Sequence, residues 1–167
     1  MGLVPGGKPT QVVAQQMTSD GLAFAPGTKP TVLLSTAQPW EGNVIEAPSP
    51  IVYGGRLYLF YSANRYVTSK YAIGYARCKG PLGPCERVST KPLIASDSVV
   101  AGPGAQSPVV DTTGRLRLAY SAWQAGRVGY QAPNRCRGSA AGCNQRRMYV
   151  ATLGVAGDGR LVVTDPH

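Results

Sequence analysis

The hydrophobic pattern of the chain is that of short β-strands separated by turns. The segments RLYLFYS at 56–62 and RLRLAYS at 115–121 alternate apolar and other positions, which is typical of strands with one buried face. Glycine (21) and proline (14) together make up 35 of the 167 residues, and they interrupt the chain at short intervals. We therefore predict an all-β fold of many short strands.

These strands belong to an internal repeat. SPIVYGGRLYLFYSA at 49–63 returns as SPVVDTTGRLRLAYSA at 107–122, with one residue inserted in the turn. Third strands follow in YAIGYARC and RMYVATL, and fourth strands in ERVS and RLVVT. Four antiparallel strands that recur after about 50 to 60 residues predict β-propeller blades, because such a sheet buries its faces only by stacking on sister blades.

An earlier segment resembles the second half of a blade, because VAQQMTSDGL parallels VATLGVAGDGRL. We predict one partial propeller domain over residues 1–167, with a half blade at 11–34 and whole blades at 44–95 and 101–164. Propellers usually close with four to eight blades. We therefore expect two exposed blade faces, with self-association or dependence on a partner as the consequence.

Two pairs of cysteines flank glycine-rich loops, Cys78 and Cys85 around KGPLGP and Cys136 and Cys143 around RGSAAG. Each pair predicts a local disulfide, and disulfides indicate an oxidising compartment. Zinc is the alternative, but His167 is the single histidine and neither pair has the C-x2-C spacing of a structural zinc site. We predict no metal and no cofactor.

The net charge is +9, from 17 Lys and Arg against 8 Asp and Glu, which would suit an anionic partner. The basic residues are scattered, apart from a cluster over residues 135–147, and form no basic helix or nucleic-acid motif. We expect no nucleic-acid partner. No apolar run approaches the roughly 20 residues of a membrane span, and MGLVPGGKPT shows no signal-peptide pattern.

A family resemblance rests on a set of motifs in order. VIEAPSPIVYGGRLYLFYSANRYVTSKYAIGYARCKGPLGPC, then GPGAQSPVV and GRLRLAYSAW, resemble the C-terminal half of glycoside hydrolase family 43. The resemblance extends from about residue 10 to residue 164. It implies roughly two and a half blades of a five-bladed propeller, a secreted protein, and an arabinose- or xylose-containing carbohydrate partner.

The resemblance assigns Glu46, in the motif E-A-P, as the general acid of an inverting glycosidase. Such enzymes place a protonated and an ionised carboxyl group roughly 6.5 to 9.5 Å apart. In the family, the general base and the acid that modulates the pKa of the proton donor are both Asp residues of the N-terminal half. Residues 1–39 contain no match to their motifs. Asp20, Glu86, Asp97, Asp111 and Asp158 are more simply interpreted as turn or solvated residues. Glu41 is close to Glu46 in the sequence, but a separation of five residues does not predict that the two carboxylates lie on opposite sides of a sugar.

Aromatic and amide side chains complete the candidate pocket. Trp40 and Trp123 could stack on sugar rings, with blade packing as the alternative. Asn64 could line the rim of the pocket, with surface solvation as the alternative. Gln106 could offer hydrogen bonds beside Ala105, where many family members carry a histidine that organises a metal or water.

Arg146 resembles a family arginine that contacts substrate from the final blade, and Arg147 is the alternative if the register differs by one residue.

Two classes of function follow from these observations. The first is a glycosidase acting on arabinan- or xylan-type bonds, for which the isolated chain is expected to be inactive because the general-base half is missing. The second is a non-catalytic sugar-binding module or a degenerate remnant of such an enzyme.

Overall fold

The computed structural model describes residues 8–131 and 143–167. These residues form a short 3₁₀ helix, Pro39–Glu41, and ten strands: β1 (Gln11–Ala14), β2 (Thr31–Ser35), β3 (Ile45–Tyr53), β4 (Arg56–Ala63), β5 (Ala72–Cys78), β6 (Cys85–Arg87), β7 (Val100–Val110), β8 (Leu116–Gln124), β9 (Arg146–Val155) and β10 (Leu161–Asp165).

The strands form three antiparallel sheets, which confirms the all-β prediction. The first sheet has two strands, β1 and β2, and the other two sheets have four strands each, in the orders β3-β4-β5-β6 and β7-β8-β9-β10. We call them the first, middle and last sheets. Neighbours within each sheet are consecutive in the chain, as expected for propeller blades built from successive hairpins.

The middle sheet is buried on both faces, whereas the alternation of RLYLFYS predicts one buried face. On one face, Tyr58 and Phe60 pack with Leu118 of the last sheet. On the other face, Leu59 packs with Val12 of the first sheet. Because both neighbours are present, all of β4 from position 58 to position 63 is buried.

The last sheet has a packed inner face and an open outer face. In β8, Leu116 and Leu118 are buried on the inner face, while Arg117 and Ala119, which alternate with them, are partly exposed. The outer side of the neighbouring strand β9 carries Met148, which is 77% exposed. An apolar side chain this exposed is expected where a further blade would otherwise pack.

One predicted disulfide is present: Cys78 and Cys85 join the ends of the paired strands β5 and β6. Cys143 is also disulfide-bonded. Cys136 lies outside the described residues, so the second pairing stays a prediction. Within residues 8–131 and 143–167, no helix is long and apolar enough to cross a membrane, and no cluster of three His, Cys, Asp or Glu residues could hold a metal ion.

Candidate active site

Glu46 is the second residue of β3, the first strand of the middle sheet. It pairs with Ser62 of β4, and the register shifts between Glu46 and Ser49. Within this irregular stretch Ala47 has a φ of 51°, a conformation that non-glycine residues adopt infrequently. Bulges of this kind redirect side chains and are frequent beside active sites, and here the bulge follows the half-buried Glu46 directly.

Tyr71 holds the carboxylate of Glu46. Its hydroxyl donates a hydrogen bond to Glu46 Oε1 at 2.6 Å. The side chain is 2% exposed, the guanidinium of Arg146 lies 5.4 Å from its ring centroid, and Gly104 lies so close that a Cβ there would be 1.9 Å from the ring. Burial and the hydrogen bond to Glu46 both raise the pKa of Tyr71, which therefore keeps its proton at neutral pH.

Sequence reasoning missed Tyr71 as a site residue. The available signal was its place just before β5, since Tyr71 is the first residue of the YAIGYA motif and precedes the strand at Ala72. Tyr71 and Glu46 are 25 residues apart in the chain. The contact therefore depends on the pairing of β3, β4 and β5 and not on any local spacing.

Gln106 ties the last sheet to the bulge that follows Glu46. Its Nε2 donates to the carbonyl oxygen of Ala47 at 2.8 Å, and its Oε1 accepts from the Ser62 hydroxyl at 2.6 Å. The backbone N–H of Ala105 donates in turn to Ser62 Oγ at 2.9 Å. The amide of Gln106 is buried and satisfied within the protein, so its hydrogen bonds shape the backbone behind Glu46.

Arg146 lies in the same cluster. It donates to the backbone carbonyls of Tyr66 at 3.0 Å, Gly102 at 2.8 Å and Ser121 at 2.6 Å. Burial lowers the pKa of its guanidinium, although arginine remains charged at any physiological pH. In the resolved register Arg146 pairs with Trp123 and faces the site, while Arg147 is exposed. Arg146 therefore fastens the loops around Tyr71.

The two tryptophans pack within the blades. Trp123 is fully buried, and its Nε1 donates to the carbonyl of Tyr66 at 3.1 Å. Trp40 is partly buried and stacks on Tyr61 with ring centroids 5.9 Å apart. Asn64 supports Trp40, because its Nδ2 donates to the carbonyl of Trp40 at 3.0 Å. The structure thus brings Glu46, Gln106 and Arg146 into one cluster, with Trp123 behind Arg146.

Comparison with known proteins decides the family. The model of the family described as Glycosyl hydrolases family 43 matches residues 3–138 of this sequence. The chain belongs to this family. A search of curated proteins finds no match for the family-43 chain.

Solved structures agree with this assignment. A thermostable family-43 glycoside hydrolase is 30% identical with a TM-score of 0.73, and the match covers 93% of this chain and 47% of that one. An endo-1,4-β-xylanase from Bacteroides thetaiotaomicron VPI-5482 is 26% identical with a TM-score of 0.70, covering 90% and 48%. An α-L-arabinofuranosidase from Lactobacillus brevis shares the fold at 22% identity and a TM-score of 0.72, covering 95% and 49%.

The family-43 chain spans about half the length of these solved structures. Its three stacked sheets are a partial five-bladed propeller, as predicted. Two whole blades and half of another are present among the described residues.

Most other acids of the chain are engaged by neighbouring groups. The pKa of Asp111 is held well below its usual range by hydrogen bonds from Arg117, Thr113 and the Arg115 backbone. Asp20, Asp97 and Asp158 accept backbone N–H hydrogen bonds within turns, while Glu86 is exposed on β6. These positions agree with their interpretation as turn or solvated residues.

Glu41 is a buried structural carboxylate. It accepts hydrogen bonds from the backbone N–H groups of Ala37 at 2.7 Å and Gln38 at 3.0 Å, from the Tyr61 hydroxyl at 2.7 Å and from Arg87 Nε at 2.7 Å. Burial alone would raise the pKa of Glu41, but these hydrogen bonds together hold it below its ordinary value. The carboxylate is committed to this network and is not free to activate a water molecule.

The contact between Gly104 and Tyr71 gives a first prediction. We expect Gly104→Ala to destabilise the fold by about 1–3 kcal/mol or more, because the added methyl group overlaps a ring that is held in place. Urea unfolding of the purified chain measures the loss. Gly157→Ala is the matched control, since a Cβ there meets nothing within 4 Å. Equal unfolding midpoints for the two variants would show that Tyr71 moves freely.

Proposed function

We propose that this chain supplies the general acid of a family-43 glycosidase that hydrolyses arabinan- or xylan-type glycosidic bonds. The observation that carries the proposal is the placement of Glu46, whose carboxylate is held by Tyr71 at 2.6 Å at the start of a blade's first strand. Family membership and the structural likeness to a xylanase support this class of substrate. The carbohydrate would bind beside Glu46.

In the proposed reaction, Glu46 gives its proton to the leaving oxygen as the glycosidic bond breaks. The hydrogen bond from Tyr71 then stabilises the carboxylate that results. Gln106 and Arg146 act as positioning residues, because the first holds the backbone of Ala47 and the second lies over the ring of Tyr71. A second carboxylate must activate water from the opposite side of the sugar.

That second carboxylate would come from polypeptide outside the sequence described here. Five of the acids in the described residues, Asp20, Glu41, Asp97, Asp111 and Asp158, are held in turns or ion pairs. We propose that residues 1–167 alone do not hydrolyse glycosides. The alternative function is a non-catalytic sugar-binding module or a degenerate remnant of such an enzyme.

The remaining features support a secreted protein. The Cys78–Cys85 disulfide is of the kind that persists in oxidising compartments, and we propose an extracellular location on this basis.

We also propose that the isolated chain self-associates through its exposed apolar faces, such as the outer side of β9 around Met148. The molar mass of the purified chain in solution tests this association.

Hydrolysis assays test the function. Nitrophenyl arabinofuranoside, nitrophenyl xyloside and linear arabinan would be offered to the 167-residue chain alone and to a fusion. In the fusion, the part of the thermostable relative that this chain does not match precedes Met1. We expect turnover by the fusion and none by the chain alone, because only the fusion includes the part of the fold in which the family resemblance places the general base.

Two results would overturn this account. A folded fusion that leaves all three substrates intact would favour the remnant or binding module. Turnover by the chain alone would mean that a general base exists within residues 1–167.

A further inference from the structure

A cavity of about 270 Å³ lies between the outer strands of the middle and last sheets. Tyr61, Gly74 and Tyr75 of the middle sheet line it together with residues of the loop at 89–93, and residues 160–163 of the last sheet form the facing wall. The residues of the Glu46 cluster are not part of this lining. The cavity is therefore separate from the candidate active site.

The path of the chain after β6 opens this cavity. β6 ends at Arg87, which pairs with Ala76 of β5, and the chain returns to the same strand where Ile94 bridges to Ile73. The six residues at 88–93 thus lie opposite only two residues of β5, at 74 and 75. Six residues cannot run alongside so short a length of strand, so the loop leaves the sheet edge and encloses space between itself and β10.

Buried hydrogen bonds fix the two walls relative to each other. The Tyr75 hydroxyl accepts a hydrogen bond from the backbone N–H of Leu161 at 2.8 Å, and the Tyr58 hydroxyl donates to the carbonyl oxygen of Gly159 at 3.1 Å. Both tyrosines are buried. The walls are held in place before any ligand arrives, which lowers the cost of ordering the protein on binding.

Two cations line the cavity, one on each side. Lys91 projects from the loop and Arg160 from the start of the opposite wall, and both residues are exposed. The Nε of Arg160 forms an ion pair with Asp158 at 2.5 Å. A guanidinium has five N–H donors, so this ion pair leaves Arg160 able to donate to a further anion.

Two more arginines lie against the turn that leads into Arg160. A Cβ at Gly159 would be 3.0 Å from Arg56 Nε and 3.4 Å from Arg77 Nη1, and Arg77 Nη1 donates to the backbone carbonyl of Asp158 at 3.2 Å. With Lys91 and Arg160 this makes four positive charges near the cavity, of which the Asp158 carboxylate offsets one. The local potential therefore favours an anionic ligand.

We infer that this cavity is a second carbohydrate site, which binds an acidic sugar unit through its carboxylate. Lys91 and Arg160 receive the carboxylate by charge-assisted hydrogen bonds, and Pro92 and Leu161 contact the apolar face of the sugar. The volume lies just below the roughly 300–1,000 Å³ typical of ligand pockets, which suits one sugar ring. The inference rests on the proposed function, since family-43 membership is the reason to expect a carbohydrate among possible anions.

Calorimetric titration of the 167-residue chain tests this site. The two probes are trigalacturonic acid and its fully methyl-esterified form, which differ in the charge of the carboxyl groups. We expect the acid to bind about tenfold more tightly or better, because hydrogen bonds to a charged group are stronger than those to an ester. We also expect added salt to weaken binding of the acid, since the two cations are exposed.

Lys91→Gln and Lys29→Gln form the matched pair of variants. Both lysines are exposed and each change removes one positive charge, but only Lys91 lines the cavity. We expect Lys91→Gln to weaken binding of the acid by about tenfold and Lys29→Gln to leave it nearly unchanged. Amide chemical shifts locate the ligand, and we expect the acid to move those of residues 89–93 and 160–163.

Four results would overturn the second site. They are equal binding of the acid and its ester, equal losses in the two variants, shifts centred on Glu46 and Tyr71, and displacement of the acid by an equal concentration of inorganic phosphate. The last would show a site for any small anion. Hydrolysis by the fusion without binding of the acid would contradict the second site alone, and binding of the acid with an inactive fusion would contradict the proposed function alone.

Discussion

Replacing Glu41 with alanine is expected to lower the free energy of unfolding by about 3–5 kcal/mol. The carboxylate is fully buried, and the side chain of its partner Arg87 is 14% exposed. Without Glu41 the guanidinium keeps its charge in a poorly solvated position, and the Tyr61 hydroxyl loses its acceptor. Removing one member of a buried pair costs more than the pair contributes, because the remaining charge is left uncompensated.

Urea unfolding of the 167-residue chain measures this loss. Glu86→Ala is the control, because Glu86 precedes Arg87 directly in the chain and its side chain is exposed. Surface replacements of this kind usually change stability by less than about 0.5 kcal/mol. Similar midpoints for the two variants would show that Glu41 contributes no more than a surface carboxylate.

The pH dependence of stability tests the same ion pair. Because the folded-state pKa of Glu41 lies below its ordinary value of 4.5, its contribution is fully present above that value and is lost as the pH falls through the folded-state pKa. We expect the wild-type chain to lose stability below about pH 4.5 more steeply than Glu41→Gln, which has no proton to bind at this position. If the stability of the two chains fell equally with pH, the lowered pKa of Glu41 would be contradicted.

The repeat in the sequence predicts the sheets but not how deeply each is buried. RLYLFYS and RLRLAYS have nearly the same pattern, and each forms the second strand of a four-stranded sheet. The middle sheet is buried on both faces because it has a neighbour on each side, while the last sheet has one neighbour. The number of neighbours is a property of the assembled fold, so two similar strands acquire different environments.

The residues of the candidate site also differ in how far the sequence predicts them. The proposed role of Glu46 rests on a local motif, E-A-P, that can be read from the sequence alone. The partners of the carboxylates do not follow from local spacing, because Glu41 meets Arg87 across 46 residues and Glu46 meets Tyr71 across 25. The sequence alone consequently predicts neither the buried ion pair of Glu41 nor the contact of Tyr71 with Glu46.

Arg146 shows how a resemblance can identify a position without fixing its role. The resemblance assigns it to substrate contact, and the structure places it against Tyr71, which holds Glu46. The N–H groups of its guanidinium nevertheless donate hydrogen bonds to the backbone carbonyls of Tyr66, Gly102 and Ser121. An arginine bound in this way supports the site through the loops it fastens.

Glu46→Gln is expected to lower the turnover of the fusion by about 10²–10⁴-fold, because glutamine cannot give a proton to the leaving oxygen. The fold should survive the change, since the side-chain oxygen of glutamine can still accept the Tyr71 hydroxyl hydrogen bond seen at Glu46 Oε1. Rates toward a nitrophenyl glycoside and toward linear arabinan measure the effect, with Glu86→Gln as the control on an exposed carboxylate.

The leaving group separates a proton donor from a merely structural residue. A nitrophenolate departs readily without a proton, whereas a sugar alcohol needs one, so the loss in Glu46→Gln should be much larger for arabinan than for the nitrophenyl glycoside. A structural defect would lower both rates by the same factor. An unchanged rate toward arabinan would remove Glu46 from the reaction, and the proton donor would then have to be another residue of the fusion.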